Sequence, residues 1–213
     1  MRLGIKPVAF LGRLLVVFAV VYVCWTPLAP WYTQLLATLT QAFLHLTEWS
    51  SDPNRHHVTS MWVRGTAIFY AHRLFPTLHP PGIPAEWVQA NLVLLIPLML
   101  ATPAASYRQR FARLGLALGI ALVVQVLDIA VTVKSFYAGE FGPYMQYGAT
   151  RRWLYQFADA FTESMDTQLF PFAIWAGIHF NQLLGRPRPV APVAAPPPTP
   201  RTTRAAKRRT RAH

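Results

Sequence analysis

Four apolar runs divide the chain, and the segments between them differ in kind. The first, residues 7–25, contains Leu14-Leu-Val-Val-Phe-Ala-Val-Val-Tyr-Val and follows Arg2 and Lys6, with Arg13 inside it. The second, 87–104, holds Asn91-Leu-Val-Leu-Leu-Ile-Pro-Leu-Met-Leu-Ala-Thr, and the third, 114–133, is apolar except for Gln125 and Asp128. The fourth, 167–184, is less pure, with Pro171, His179 and Asn181. Each approaches the ~20 residues that cross a hydrocarbon core of ~30 Å as a helix. Around Cys24-Trp25-Thr26-Pro27 the small-x-small pattern of a signal-peptidase site is missing, so the first run reads as an uncleaved anchor.

Between the first two runs the periodicity changes. Trp31, Leu35, Leu36, Leu39, Phe43, Leu44 and Leu46 recur near helical spacing, with Thr33, Gln34, Thr38, Gln41 and His45 interleaved. That pattern predicts an amphipathic helix over residues 30–49, lying along the outer interface. Val58 to Tyr70 is rich in β-branched and aromatic residues around Arg64-Gly65, which is compatible with a short β-hairpin. Leu74 to Pro84 carries four prolines and reads as a loop, and Ser106 to Arg113 as a tight arginine-rich one. Tyr147 to Phe161 is compatible with a second surface helix. The fold class that follows is an all-α integral membrane protein with four transmembrane helices, an external amphipathic helix and the hairpin between spans one and two.

Charge orients these spans. All eight acidic residues lie between Glu48 and Asp166, whereas residues 186–213 carry eight Lys/Arg and no acid. Placing the N-terminus, the 106–113 loop and the tail on the cytoplasmic side puts fourteen of the twenty Lys/Arg there. Segments 26–86 and 134–166 then fall outside with seven acids, leaving Asp128 in the membrane. A bacterial inner-membrane protein with both ends cytoplasmic satisfies every segment. The membrane domain is 1–184; the Pro-rich basic tail, 185–213, has too few apolar residues to fold and is expected to be disordered. Composition agrees: 53% hydrophobic, 13% charged, mean hydropathy +0.26. The net charge of +12 would suggest nucleic acid in a soluble protein, but its distribution marks topology, so no nucleic-acid partner is expected. Lipid is the expected partner, with anionic lipid at the tail.

Candidate chemistry is sparse. Asp128 sits about five residues before the outer end of span three, ~7–8 Å deep. A carboxylate there costs ~2.5–3.5 kcal/mol and needs a partner. Asn91 on span two and Gln168 at the start of span four are placed to join it, with Gln125 a turn deeper, as an intramembrane polar cluster. The ordinary reading of such a cluster is interhelical hydrogen bonding; the sharper one is a small transporter component centred on Asp128. Five of the seven histidines fall in segment 26–86. Of these, His45, His56, His57 and His72, with Glu48, form a candidate external polar face. His45 and Glu48 are three apart, a spacing that lets both face one ligand, but the set matches no zinc signature. No metal site, cofactor or catalytic residue is assigned: no phosphate loop, nucleophile elbow or His-Glu-x-x-His helix is present. An enzyme using the external His/Asp/Glu residues is the alternative to a non-enzymatic protein.

The order of segments carries one resemblance. The basic anchor, the external amphipathic stretch, the Pro-rich loop, the run from Asn91, the Arg-rich turn, Tyr155-Gln156 and Leu169-Phe-Pro-Phe-Ala-Ile-Trp together resemble the small membrane proteins associated with exosortase H. The resemblance covers most of residues 7–184 through apolar patterns. It implies an accessory role beside a membrane-embedded protein-sorting enzyme. Exosortases themselves use an essential Cys, Arg and His on their external side. Cys24 lies within the first span, so no catalytic role is carried over.

Overall fold

The computed structural model describes residues 7–47, 59–72, 80, 82–103, 106–140, 147–166 and 169–183. In chain order the elements are α1 (Pro7–Thr47), β1 (Thr59–Arg64), β2 (Ala67–His72), β3 (Ile83–Pro84), α2 (Ala85–Ala101), α3 (Tyr107–Glu140), α4 (Ala149–Asp166) and α5 (Leu169–Leu183). The tail expected to be disordered lies outside the described residues.

Two helices overrun the boundaries expected from sequence. The anchor and the amphipathic stretch are one helix of 41 residues, with Pro27 and Pro30 inside it. Each proline removes an N–H from the ladder, at ~3 kcal/mol in an exposed helix. The helix nevertheless continues through both, and α2 packs against it there: Gln89 Nε2 donates to the Ala29 carbonyl between the two prolines (3.3 Å). The stretch 30–47 therefore does not lie apart along an interface. Thr33, Leu36, Ala37, Thr40 and Leu44 face the core, while Trp31 (79% exposed) and Leu35 point outward. Thr33, counted with the wet side, thus lines the packed side, whereas Thr38 is exposed as expected. Likewise, the arginine-rich loop is not a loop beyond Ser106: Arg108, Arg110 and Arg113 occupy the first two turns of α3.

Val8–Thr47 and Tyr107–Glu140 are long and apolar enough to cross a membrane, whereas Ala85–Ala101 and Leu169–Phe180 are apolar but shorter. The most apolar window of α1 has none of its residues buried, and its first half is exposed apart from a half-buried stripe at Phe10, Leu14, Val17, Val21 and Trp25. The remaining helices pack on one another in three successive layers. Leu92, Leu95, Met99, Ala117 and Ala121 meet Ile174, Trp175 and Ile178 of α5. Above them Leu36, Ala37, Ala85, Val88 and Ile129 meet Ile68 of the sheet. Uppermost, Leu44, Ala130 and Val133 surround Tyr70 and Tyr137.

The hairpin is present, and β3 extends it to a three-stranded antiparallel sheet in the order β1-β2-β3. Arg64 pairs with Ala67 across the two-residue turn Gly65-Thr66, and Gly65 adopts φ +64°, a conformation that favours glycine. Alternation puts Ile68, Tyr70 and His72 on the buried face. Trp62 and Phe69 stack on the other face, with ring centroids 6.1 Å apart. The backbone N–H of Ala85 donates to the Thr66 carbonyl (2.9 Å), so α2 starts directly from the sheet. The sheet thereby caps the helical bundle.

Thr40 is fully buried, and its hydroxyl finds no hydrogen-bond partner among the described residues. An orphan hydroxyl costs ~1–3 kcal/mol, so Thr40→Val is expected to raise the thermal unfolding midpoint in detergent. Thr33→Val is expected to lower it, since the Thr33 hydroxyl bridges two helices.

Candidate functional site

Two polar constellations stand out, one within the helical bundle and one beneath the sheet. The first joins α1, α2 and α3 at a single level. Trp25 Nε1 donates to Gln89 Oε1 (3.2 Å), and Gln89 Nε2 donates to the Thr33 hydroxyl and the Ala29 carbonyl (3.3 Å). Thr33 Oγ1 also donates to the Ala29 carbonyl (2.9 Å). A turn away, the Tyr32 hydroxyl donates to Gln125 Oε1, and Gln125 Nε2 donates to the Val88 carbonyl (2.7 Å). Gln89 is 5% and Gln125 1% exposed, so both amides depend on these partners instead of water.

Gln125 thus has a role, as a tie from α3 to the other two helices. Asn91 is also buried, a turn farther from the sheet than the level where Gln125 meets Val88. Asp128 is half-buried, a turn nearer the sheet than that level, beside Ile129 in the layer where Ala85 begins α2. It therefore stands at the junction of bundle and sheet. Gln168 lies outside the described residues. Gln89, Tyr32 and Trp25 were not singled out from sequence. Gln89 had a signal, an amide only two positions from Asn91 and hence on another side of the same helix. Nothing local marked Tyr32 or Trp25, whose polar ends matter because of what α2 and α3 place opposite them.

The second constellation brings together two of the sequence-predicted histidines. His45 Nε2 lies 2.8 Å from the Thr59 carbonyl oxygen and, as an N–H, donates to it. Thr59 pairs across the hairpin with His72, which is 3% exposed, and its hydroxyl is 3.2 Å from that of Tyr137. The rings of His72 and Tyr137 meet edge-on at 4.9 Å, and Tyr70 meets Tyr137 at 6.0 Å. Burial holds the Tyr70 phenol above the ordinary tyrosine value, and Tyr137 and Asp159 nearby add to the effect. Asp159 on α4 accepts a hydrogen bond from Thr132 (2.8 Å). Glu48, His56 and His57 lie outside the described residues. Among the described residues no three His, Cys, Asp or Glu side chains are grouped as metal ligands. Cys24 is exposed on α1, next to Trp25 of the first constellation and far along the helix from His45 of the second.

A shallow cleft of about 210 Å³ lies between α3 and α4, lined by Ala138, Gly139, Ala149, Arg152, Trp153 and Gln156. Arg152 is its only charged lining residue. Comparison with family models, with curated proteins and with solved structures found no match to this chain.

Two outcomes test these networks. In a double-mutant cycle, Trp25→Phe and Gln89→Leu are expected to couple by about 0.6 to 1.7 kcal/mol in detergent unfolding, the span measured for interhelical hydrogen bonds in membranes. Tyr70 has the opposite signature, read in pH. Its unfolded-state phenol ionises near 10.0 and its folded-state phenol above that. Its contribution is therefore complete below pH 10 and is lost as pH rises. Tyr70→Phe is expected to move the alkaline unfolding midpoint upward; an unchanged midpoint would show that Tyr70 is not the group titrating.

Proposed function

We propose that this protein is a four-span integral membrane protein whose role is non-enzymatic. It acts as an accessory or scaffold subunit beside a membrane-embedded protein-sorting enzyme of the exosortase type. The observation that carries this reading is the use made of the polar side chains. Gln89, Gln125, Tyr32, His45 and Asp159 each hold one element to another, and four of these five bonds bridge residues far apart in sequence. Such ties fix the relative position of helices and sheet, which is the property a scaffold needs.

The four spans follow from α1, α2, α3 and α5, with α1 and α3 running past the bilayer to support the sheet on the outer side. Arg13, Arg108, Arg110, Arg113 and the basic tail then share the cytoplasmic side, as the positive-inside rule requires. Exposed Trp87 beside Glu86 at the start of α2, and exposed Tyr107 at the start of α3, suit the two interfaces. The resemblance to exosortase H-associated proteins supplies the nature of the partner, and the external sheet supplies a surface on the side where such enzymes act.

Reporter fusions after Arg110 and after His213 should both read cytoplasmic, and a fusion after Glu140 external; any reversal would sink the topology. For the role, the protein carrying His45→Ala or His72→Ala, once shown to reach wild-type membrane levels, should still support processing of a sorting substrate and co-purify with the sorting enzyme. Loss of processing with co-purification intact would favour an enzyme built on the histidine–tyrosine cluster instead.

A further inference from the structure

Helix α4 has three distinct sides. Tyr155, Ala158, Asp159 and Thr162 are partly buried, and Asp159 binds Thr132 of α3. Arg152, Gln156 and Glu163 line an exposed polar flank. The remaining side is apolar and exposed. Trp153 (63%), Phe157 (54%) and Phe161 (46%) recur every four residues, their rings stacked at 5.3 and 6.2 Å, with Leu154 beside them. Among the described residues none buries this side, although Trp153 lines the cleft against Ala138 and Gly139 of α3.

Three observations converge on its occupant. The first is length. Helix α5 has 15 residues, ~22 Å at 1.5 Å per residue, which falls short of a ~30 Å hydrocarbon core by five or six residues. The second is level. Asp159 meets Thr132, whereas Ile174 and Ile178 join Ala117 and Ala121 in one core cluster. Helices α4 and α5 therefore pack at successive levels of α3, and the last two turns of α4 lie beside the end of α3's apolar stretch. The third is continuity. Both helices pack on α3, so their opposite sides face outward together, and on α5 that side exposes Leu169, Phe172 and Phe180.

We propose that the aromatic side of α4 faces lipid, so that the fourth crossing is made by two helices: α5 through the inner part of the bilayer and the last turns of α4 through the outer leaflet. This rests on the membrane reading above and deepens it. Phe161 then lies deepest, Phe157 near the acyl–headgroup boundary, and Trp153 among the headgroups, the depth that indole rings favour. The exposed Arg151 and Arg152 at the outward end meet the phosphates. The polar flank turns toward the cleft between α3 and α4, which Arg152 and Gln156 line.

The test uses the full chain in nanodiscs of phosphatidylethanolamine and phosphatidylglycerol. Cys24→Ser provides the background for single nitroxide labels introduced through Trp153→Cys, Phe157→Cys, Phe161→Cys and Gln156→Cys. Val123→Cys, on the exposed apolar side of α3, serves as the control. Oxygen collides with labels in lipid and a nickel chelate with labels in water. The expected result is an oxygen-to-nickel ratio that rises from 153 through 157 to 161, several-fold above position 156 and approaching that at 123. A water-like ratio at 157 and 161 with a lipid-like one at 123 overturns the proposal and leaves the membrane reading standing. Shielding of 157 and 161 from both reagents overturns it in favour of a protein on this face. A water-like ratio at 123 overturns both.

Discussion

The two buried amides, Gln89 and Gln125, are the constraint on which the rest of the molecule turns. Gln89 sits between two helices and Gln125 among three, and each must find partners because it is buried away from water. Gln89 finds them on α1 on either side of and between the two prolines, and Gln125 on both α1 and α2. These bonds fix the axial register of α1 against α2 and of α3 against both. Once that register is set, the layers above and below follow. Leu36 and Ala37 come level with Ala85 and Ile129, and Leu92 and Leu95 come level with Ala117 and Ala121. A slip by one turn would break the amide bonds and misplace the sheet.

The sheet depends on that register from its own side. Because α2 starts at the edge of the sheet through the bond from Ala85 to Thr66, any rotation of α2 moves the hairpin with it. The hairpin is also held from α1, where Gln41 Oε1 accepts the backbone N–H of Met61 (3.0 Å) and His45 holds the Thr59 carbonyl. Tyr137 of α3 closes the arrangement between His72 and Tyr70. Three helices thus grip the sheet through side chains that sequence reading counts as external and polar. Histidines in such positions satisfy backbone groups and ring edges, which accounts for their presence without any reaction. Their burial beside a phenol held above its ordinary value would equally suit chemistry, and that is why the histidine substitutions discriminate.

Helix length sets a second constraint. Two helices are far longer than a bilayer needs and two are shorter, yet all pack as one bundle. Long helices can serve both a membrane and an external layer; short ones leave backbone ends near lipid, where unsatisfied groups are costly. At the C-terminal end of α2, Thr102 bonds back to Leu98 (2.7 Å) and accepts from Trp175 of α5 (2.8 Å), which closes that end within protein. At its N-terminal end, the sheet closes α2 through the bond from Ala85 to Thr66.

The apolar runs, the hairpin around Arg64-Gly65 and the helix near residues 147–161 are legible in the sequence, because each depends on local periodicity or on a glycine that one turn needs. The partition of charge is legible too, because it is a property of composition along the chain and not of how the segments pack. Gln125 could be singled out, since an amide in an apolar run must be satisfied somewhere. The partners could not. That Gln125 meets Tyr32 and the Val88 carbonyl, that Thr33 and Thr40 turn inward while Trp31 turns out, and that His45 and His72 flank one threonine are all decided by tertiary structure. So is the continuity of α1 through Pro27 and Pro30, where local propensity argues for a break. In each case the deciding energy comes from a residue ten to ninety positions away brought alongside by packing, and no periodicity along the chain can encode which neighbour that is.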